Sequence, residues 1–258
     1  MSVKAENLSE VAAVTSRVSP DYIREKASDG SLVPEYYVFG KGGLFAGDRD
    51  DPSEKKMTFL EVAHTLAYSL AAQNYLPASN PKSTRLLIMV YWGTTRAPEH
   101  SNQSAEYENL QLHPNDVSLM AAVVAENRVR DEKDESNARL LGYESWWAET
   151  QGDFRGTALE SQRTALIDEL ENDRYFVVLM AYDFQLMSLA RKHKLLWEAR
   201  FSMRQKGHEL DKDLYSMAKF ASRYFGKDSG GLIHEPIPLG EVRIGEIKSL
   251  GEIQQPPH

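Results

Sequence analysis

The sequence predicts an α/β fold: a mixed sheet of about four to five strands flanked by helices, with a mostly helical insertion between the second and third main strands. Three observations predict it. Two apolar runs of strand length, residues 86–92 and 175–182, lack polar alternation, as expected of central strands covered on both faces. Between a first short strand and the first of these runs lies an amphipathic helix, which is the order of a parallel crossover unit. Finally, residues 194–204 alternate cleanly, with Trp197, Ala199, Phe201 and Met203 on one side and Glu198, Arg200, Ser202 and Arg204 on the other. That pattern predicts an antiparallel outer strand with one wet face.

Taken in order, residues 1–20 are polar and weakly patterned and are expected to be a loose leader with a short helix around Leu8 and Val14. Residues 21–27 suit one or two helical turns. Tyr36-Tyr37-Val38-Phe39 reads as a short strand closed by Gly40, and the Gly- and Asp-rich residues 40–56 as a loop. Thr58 with Glu61 three residues on is a capping-box pattern. Phe59, Val62, Ala63, Leu66, Ala67, Leu70 and Ala71 then form one apolar stripe, in a helix expected to end near Asn74.

Residues 94–173 leave the sheet as the insertion. Its first part, residues 96–115, is polar and reads as a loop. Residues 116–130 read as a helix through Val117, Met120, Ala121, Val124 and Val129, and residues 157–171 as another. The charge-dense residues 128–135 continue a solvated helical face. After the strand at 175–182, Arg191, Lys192, His193 and Lys194 mark a solvated turn, so the two strands are expected to form a long hairpin. Residues 210–225 form a closing helix with Gly226 just past its end. Residues 230–258 are a tail or an added edge strand containing Val242-Arg243-Ile244. One domain of 258 residues is the expectation.

Composition narrows the partners. A formal net charge of −8, from 38 acidic and 30 basic residues, argues against nucleic acid, whose binders present basic faces. The chain has no cysteine, so disulfides, thiolate metal sites and cysteine nucleophiles do not arise. No apolar run reaches the roughly 20 residues of a membrane span. The first residues also lack the basic and apolar regions of a signal peptide.

Local chemistry is sparse. Gly40-Lys41-Gly42-Gly43 has neither the spacing nor the following helix of a phosphate loop, so a flexible loop is the better reading. Glu61-x-x-His64 copies half of a di-iron motif, but no second copy exists and Glu61 is explained as a capping residue. His64, His100, His113, His193, His208, His234 and His258 are scattered without zinc-ligand spacing. No catalytic residue, metal or cofactor is expected. Trp92, Tyr182, Trp197, Trp146 and Trp147 read first as packing residues. Because ligands in open α/β sheets bind beyond the carboxyl ends of strands, Trp92, Thr94, Thr95, Tyr182 and Asp183 are the candidate binding residues.

Three pieces carry a family resemblance. They are Ala71-Ala72-Gln73-Asn74-Tyr75-Leu76-Pro77 leading into the strand at 86–92, the strand at 175–183 with Asp183 at its end, and Lys194-Leu195-Leu196-Trp197-Glu198-Ala199 before the closing helix. In that order they resemble uncharacterised bacterial envelope lipoprotein domains related to the N-terminal domain of TolB and to curli-secretion lipoproteins. The resemblance implies a non-catalytic, envelope-associated binding or assembly module with a protein partner, held to a membrane through a lipidated cysteine. It places the chain in the periplasm or envelope if its native N-terminus has been trimmed, and in the cytoplasm otherwise. The missing cysteine and the long insertion depart from that family. The competing expectation is a cytoplasmic enzyme or small-ligand-binding protein with a pocket at the strand carboxyl ends.

Overall fold

A computed structural model describes residues 10–45, 57–97, 105–113, 115–150 and 158–237. Among these the strands are β1 (Glu10–Val18), β2 (Glu35–Phe45), β3 (Tyr75–Pro77), β4 (Leu86–Thr94), β5 (Arg174–Asp183), β6 (Leu195–Arg204) and β7 (Ile233–Ile237). The helices are α1 (Phe59–Ala71), α2 (Ala105–Leu112), α3 (Val117–Leu141), α4 (Glu144–Glu149), α5 (Ala158–Leu170), α6 (Phe184–Ala190) and α7 (Leu210–Ala221). The seven strands make one mixed sheet in the order β3-β2-β4-β5-β6-β1-β7, two or three strands more than predicted.

The predicted crossover is present, with β2 and β4 parallel and α1 between them in the chain. Thr58 caps α1 as its sequence predicts. Its backbone N–H donates to Glu61 Oε2 at 2.7 Å, and its hydroxyl accepts from the Glu61 N–H at 3.4 Å. From β4 onward every pairing is antiparallel, through β5, β6, β1 and β7. At the end of α7 a single 3-10 turn, Ser222–Tyr224, leads to Gly226 at φ 69°, a left-handed turn packed so closely on the Tyr75 hydroxyl that no side chain fits.

Several expectations are corrected. Residues 10–18 are not a leader with a helix but a strand inside the sheet. Ala12, Ala13 and Val14 are each almost wholly buried, because small apolar side chains fit between two covering layers. A helix of so few residues would also have little to offset its nucleation. Gly40-Lys41-Gly42-Gly43 belongs to β2, with a bulge between Lys41 and Gly43. Gly40 and Gly42 leave room for Met89 and Tyr91 of the neighbouring strand to fold across them. Residues 105–112 form α2 where a loop was expected, while α3 continues through the charged segment, as its sequence predicts, and on to Leu141. The β5–β6 connection contains α6 rather than a bare turn.

Strand β6 is not an outer strand either. It lies between β5 and β1, and its polar face is covered, with Ser202 buried and Glu198 and Arg200 mostly so. The true edges are β3, three residues ending in Pro77, and β7, which carries Pro236 opposite Val11. The tail segment Val242-Arg243-Ile244 lies outside the described residues, as do residues 1–9.

Two cores result. On one face α1 and α7 cover a continuous apolar layer that includes Leu66, Leu70, Trp92, Trp197, Phe201 and Phe225. Trp197 stacks on Phe225 with ring centroids 5.8 Å apart. On the other face the carboxyl half of α3, Tyr143 just before α4, and α5 place Ala138, Leu141, Tyr143, Leu166 and Leu170 against Ala13, Phe176 and Val178.

Candidate functional site

The structure separates the five predicted binding residues into two groups. Strands β4 and β5 are antiparallel, with Leu86 opposite Asp183 and Thr94 opposite Tyr175. Trp92, Thr94 and Thr95 therefore sit at one end of the sheet and Tyr182 and Asp183 at the other, roughly 25 Å away at about 3.3 Å per residue. The expectation of one pocket fails because the carboxyl ends of antiparallel neighbours point opposite ways. Asp183 has a structural task, since its carboxylate accepts from the Leu186 N–H at 2.8 Å and caps α6. Half-buried Tyr182 sits edge-on to His193. Trp92 is a core residue stacked on Phe59.

The other end does open into a cleft. Phe45 and Thr94 close the parallel pair β2 and β4, and beyond them lies a space of about 770 Å³. Leu44, Phe45, Thr94 and Thr95 form its sheet side, and Lys133, Asn137 and Leu140 its α3 side. Two side chains fix this geometry. Thr95 Oγ1 accepts from the Arg174 N–H at 2.9 Å and donates to the Asn172 carbonyl at 3.4 Å, tying the exit of β4 to the entry of β5. The Asn137 amide donates to the Arg96 carbonyl at 2.9 Å and to the Leu170 carbonyl at 3.1 Å, stapling α3 over both segments.

Charge in the cleft is positive. Arg96, Lys133, Arg139 and Arg200 line it against one acid, Glu144. Arg200 donates to the Arg139 and Leu140 carbonyls at 2.7 and 3.1 Å, where a cation also complements the carboxyl end of α3. Its other terminal nitrogen pairs with Glu198 at 3.2 Å. Arg139 pairs with Glu135, and Glu144 with Arg17 at 3.4 Å. Lys133 is half-buried and has no carboxylate partner among the described residues.

A second polar cluster lies deeper under the insertion. Glu169 accepts from Tyr143 at 3.0 Å and pairs with His234 at 2.6 Å and Arg174 at 3.6 Å. Burial acts to raise the Glu169 carboxyl, but the His234 hydrogen bond and the Arg174 charge outweigh it and hold it below the usual carboxylate range. Arg174 Nε donates to Ser202 Oγ at 3.1 Å. A guanidinium cannot take a proton from that hydroxyl, so Ser202 is not activated as a nucleophile. The cluster joins β5, β6 and β7 to α5 and acts as a structural clamp.

Sequence reasoning missed Lys133, Asn137 and Leu140 as a group, although their spacing of four and three residues puts them on one helix face. Arg96 and Arg200 carry no such signal, because only the fold brings them together. Among the described residues no three His, Asp or Glu side chains are placed to hold a metal ion, and no helix is long and apolar enough to cross a membrane. No protein-family model matches this sequence, and no curated protein does.

Proposed function

We propose that this chain is a non-catalytic binding module whose ligand occupies the cleft beyond β2 and β4. The observation that carries this reading is position: the cleft opens where two parallel strands end side by side, next to the switch to antiparallel pairing. The non-catalytic part is supported by Glu169, Arg174 and Ser202, with the exposed His234 at the rim, which are committed to one another. A screen of small fragments of mixed charge, followed through backbone amide resonances, tests it. Fragments should shift the Thr95 and Asn137 amides, and a library that leaves both untouched sinks the reading.

A second reading, assembly with a protein partner in the cell envelope, draws on the sequence resemblance and on one surface. Leu112, Val117, Met120, Val124 and Val129 of α2 and α3 are exposed large apolar side chains. Fractionation of the native host tests the setting. Recovery solely from the cytoplasm, with an intact mass lacking any lipid, removes the envelope role.

A further inference from the structure

We propose that the cleft selects an organic carboxylate with an apolar, ring-sized body. The inference rests on the cleft being a binding site and adds the chemistry of what enters it. The chain as a whole carries a net charge of −8, yet this cleft gathers four cations and a single acid, whose charge Arg17 already meets. Such a local reversal focuses anions toward one place on a molecule that otherwise repels them. Arg139 and Arg200 add little to that field, because Glu135 and Glu198 pair with them and the last carbonyls of α3 hold Arg200. Lys133 supplies the donor, from a half-buried stem on the α3 wall.

The opposite wall sets the rest of the ligand. Leu44 and Phe45 remain 43% and 47% exposed at the end of β2, facing a space that Leu140 bounds from α3. The Phe45 ring lies 6.2 Å from Tyr91 and 6.0 Å from Phe176, so it is braced from beneath by two aromatic side chains. An apolar body placed there removes exposed Leu and Phe surface from water, while its acid group reaches Lys133. At about 770 Å³ the cleft is far larger than a bare oxyanion needs and falls among ordinary small-molecule sites.

The test is titration calorimetry of the full chain with 2-naphthoate, 2-naphthamide and inorganic phosphate, with the Thr95 and Asn137 amide resonances followed in parallel. We expect 2-naphthoate to bind, with at least tenfold weaker binding for the neutral amide and for phosphate. Lys133→Gln should weaken 2-naphthoate about tenfold and Phe45→Ala several-fold, whereas Arg223→Gln, at a distant exposed ion pair, should leave it unchanged. Equal binding of 2-naphthamide overturns the role of charge, and equal binding of phosphate overturns the apolar wall. If neutral fragments shift the two amides and 2-naphthoate does not, the inference fails and the binding reading stands. If no compound of any charge shifts them, both fall.

Discussion

The two faces of the sheet are built from different materials. Under α1 and α7 the layer is mainly aromatic and aliphatic, with Trp197 stacked on Phe225 and tilted against Tyr75 at 5.6 Å. Its buried polar groups include Glu35, which accepts from Tyr22, and Thr65 and Ser69 of α1. Under the insertion the apolar cluster is smaller and shares its space with Glu169, Arg174, Ser202, Asn137 and Asp134. Apolar burial is non-directional and tolerant of small shifts, whereas each buried polar group needs its own partner in place. The first face therefore sets the stability of the sheet. The second makes a more conditional union of helix and strand, and the cleft opens along that second face.

Three changes should break or sharpen this contrast. The largest is Trp197→Ala, which removes a side chain only 1% exposed from the apolar face. A loss of about 3–5 kcal/mol is expected in urea unfolding, spread over the whole molecule. A loss below about 1 kcal/mol would mean that this face is not the main source of stability.

Next is Glu169→Ala on the insertion face, expected to cost about 2 kcal/mol because the buried Arg174 guanidinium loses one of its partners. Here the loss should be local, with faster amide exchange in α5 and β7 before the rest of the sheet. Uniform acceleration would erase the distinction between the faces.

The smallest is a pH effect at Asp134. Burial, and then the Glu171 charge, push its carboxyl up to about 7 against the opposing pull of Arg130. An unfolded aspartate ionises from its ordinary value of 3.8 upward, so between there and about 7 the folded state binds more protons. The contribution is complete below that window and is lost as pH rises through it. Asp134→Asn should flatten the decline and leave the variant more stable near pH 8. Thermal melts across the range check this, and parallel profiles for both proteins would refute it.

The legible part of the fold was its apolar periodicity. Helix α1 with its capping box, the crossover to β4, the central strand β5 and the closing helix α7 all follow from patterns within about fifteen residues. What escaped depends on company that a local pattern does not show. Residues 10–18 became a strand because β6 and β7 lie on either side, and β6 looked half-wet because Arg200 and Ser202 are polar. Their partners are carbonyls and a guanidinium far away in the chain. The candidate site split for the same reason: a strand's carboxyl end is readable from sequence, but the direction of its neighbour is not. Thr94 and Thr95 were placed at the cleft, while Asp183 went to the far end to cap a helix.

The two sheet edges have a consequence for how such a molecule behaves at high concentration. A strand at an open edge is a template, and copies that add to it can grow into cross-β fibrils. Among the described residues β3 pairs with only Glu35–Tyr37 of β2, whose remaining edge from Val38 to Phe45 is kinked by the bulge between Lys41 and Gly43, while β7 interrupts its five residues with Pro236. Proline has no N–H to offer an incoming strand, and a bulge breaks the pairing register, so neither edge presents an unbroken row of donors. Polymerisation by strand addition is discouraged at both ends of the sheet.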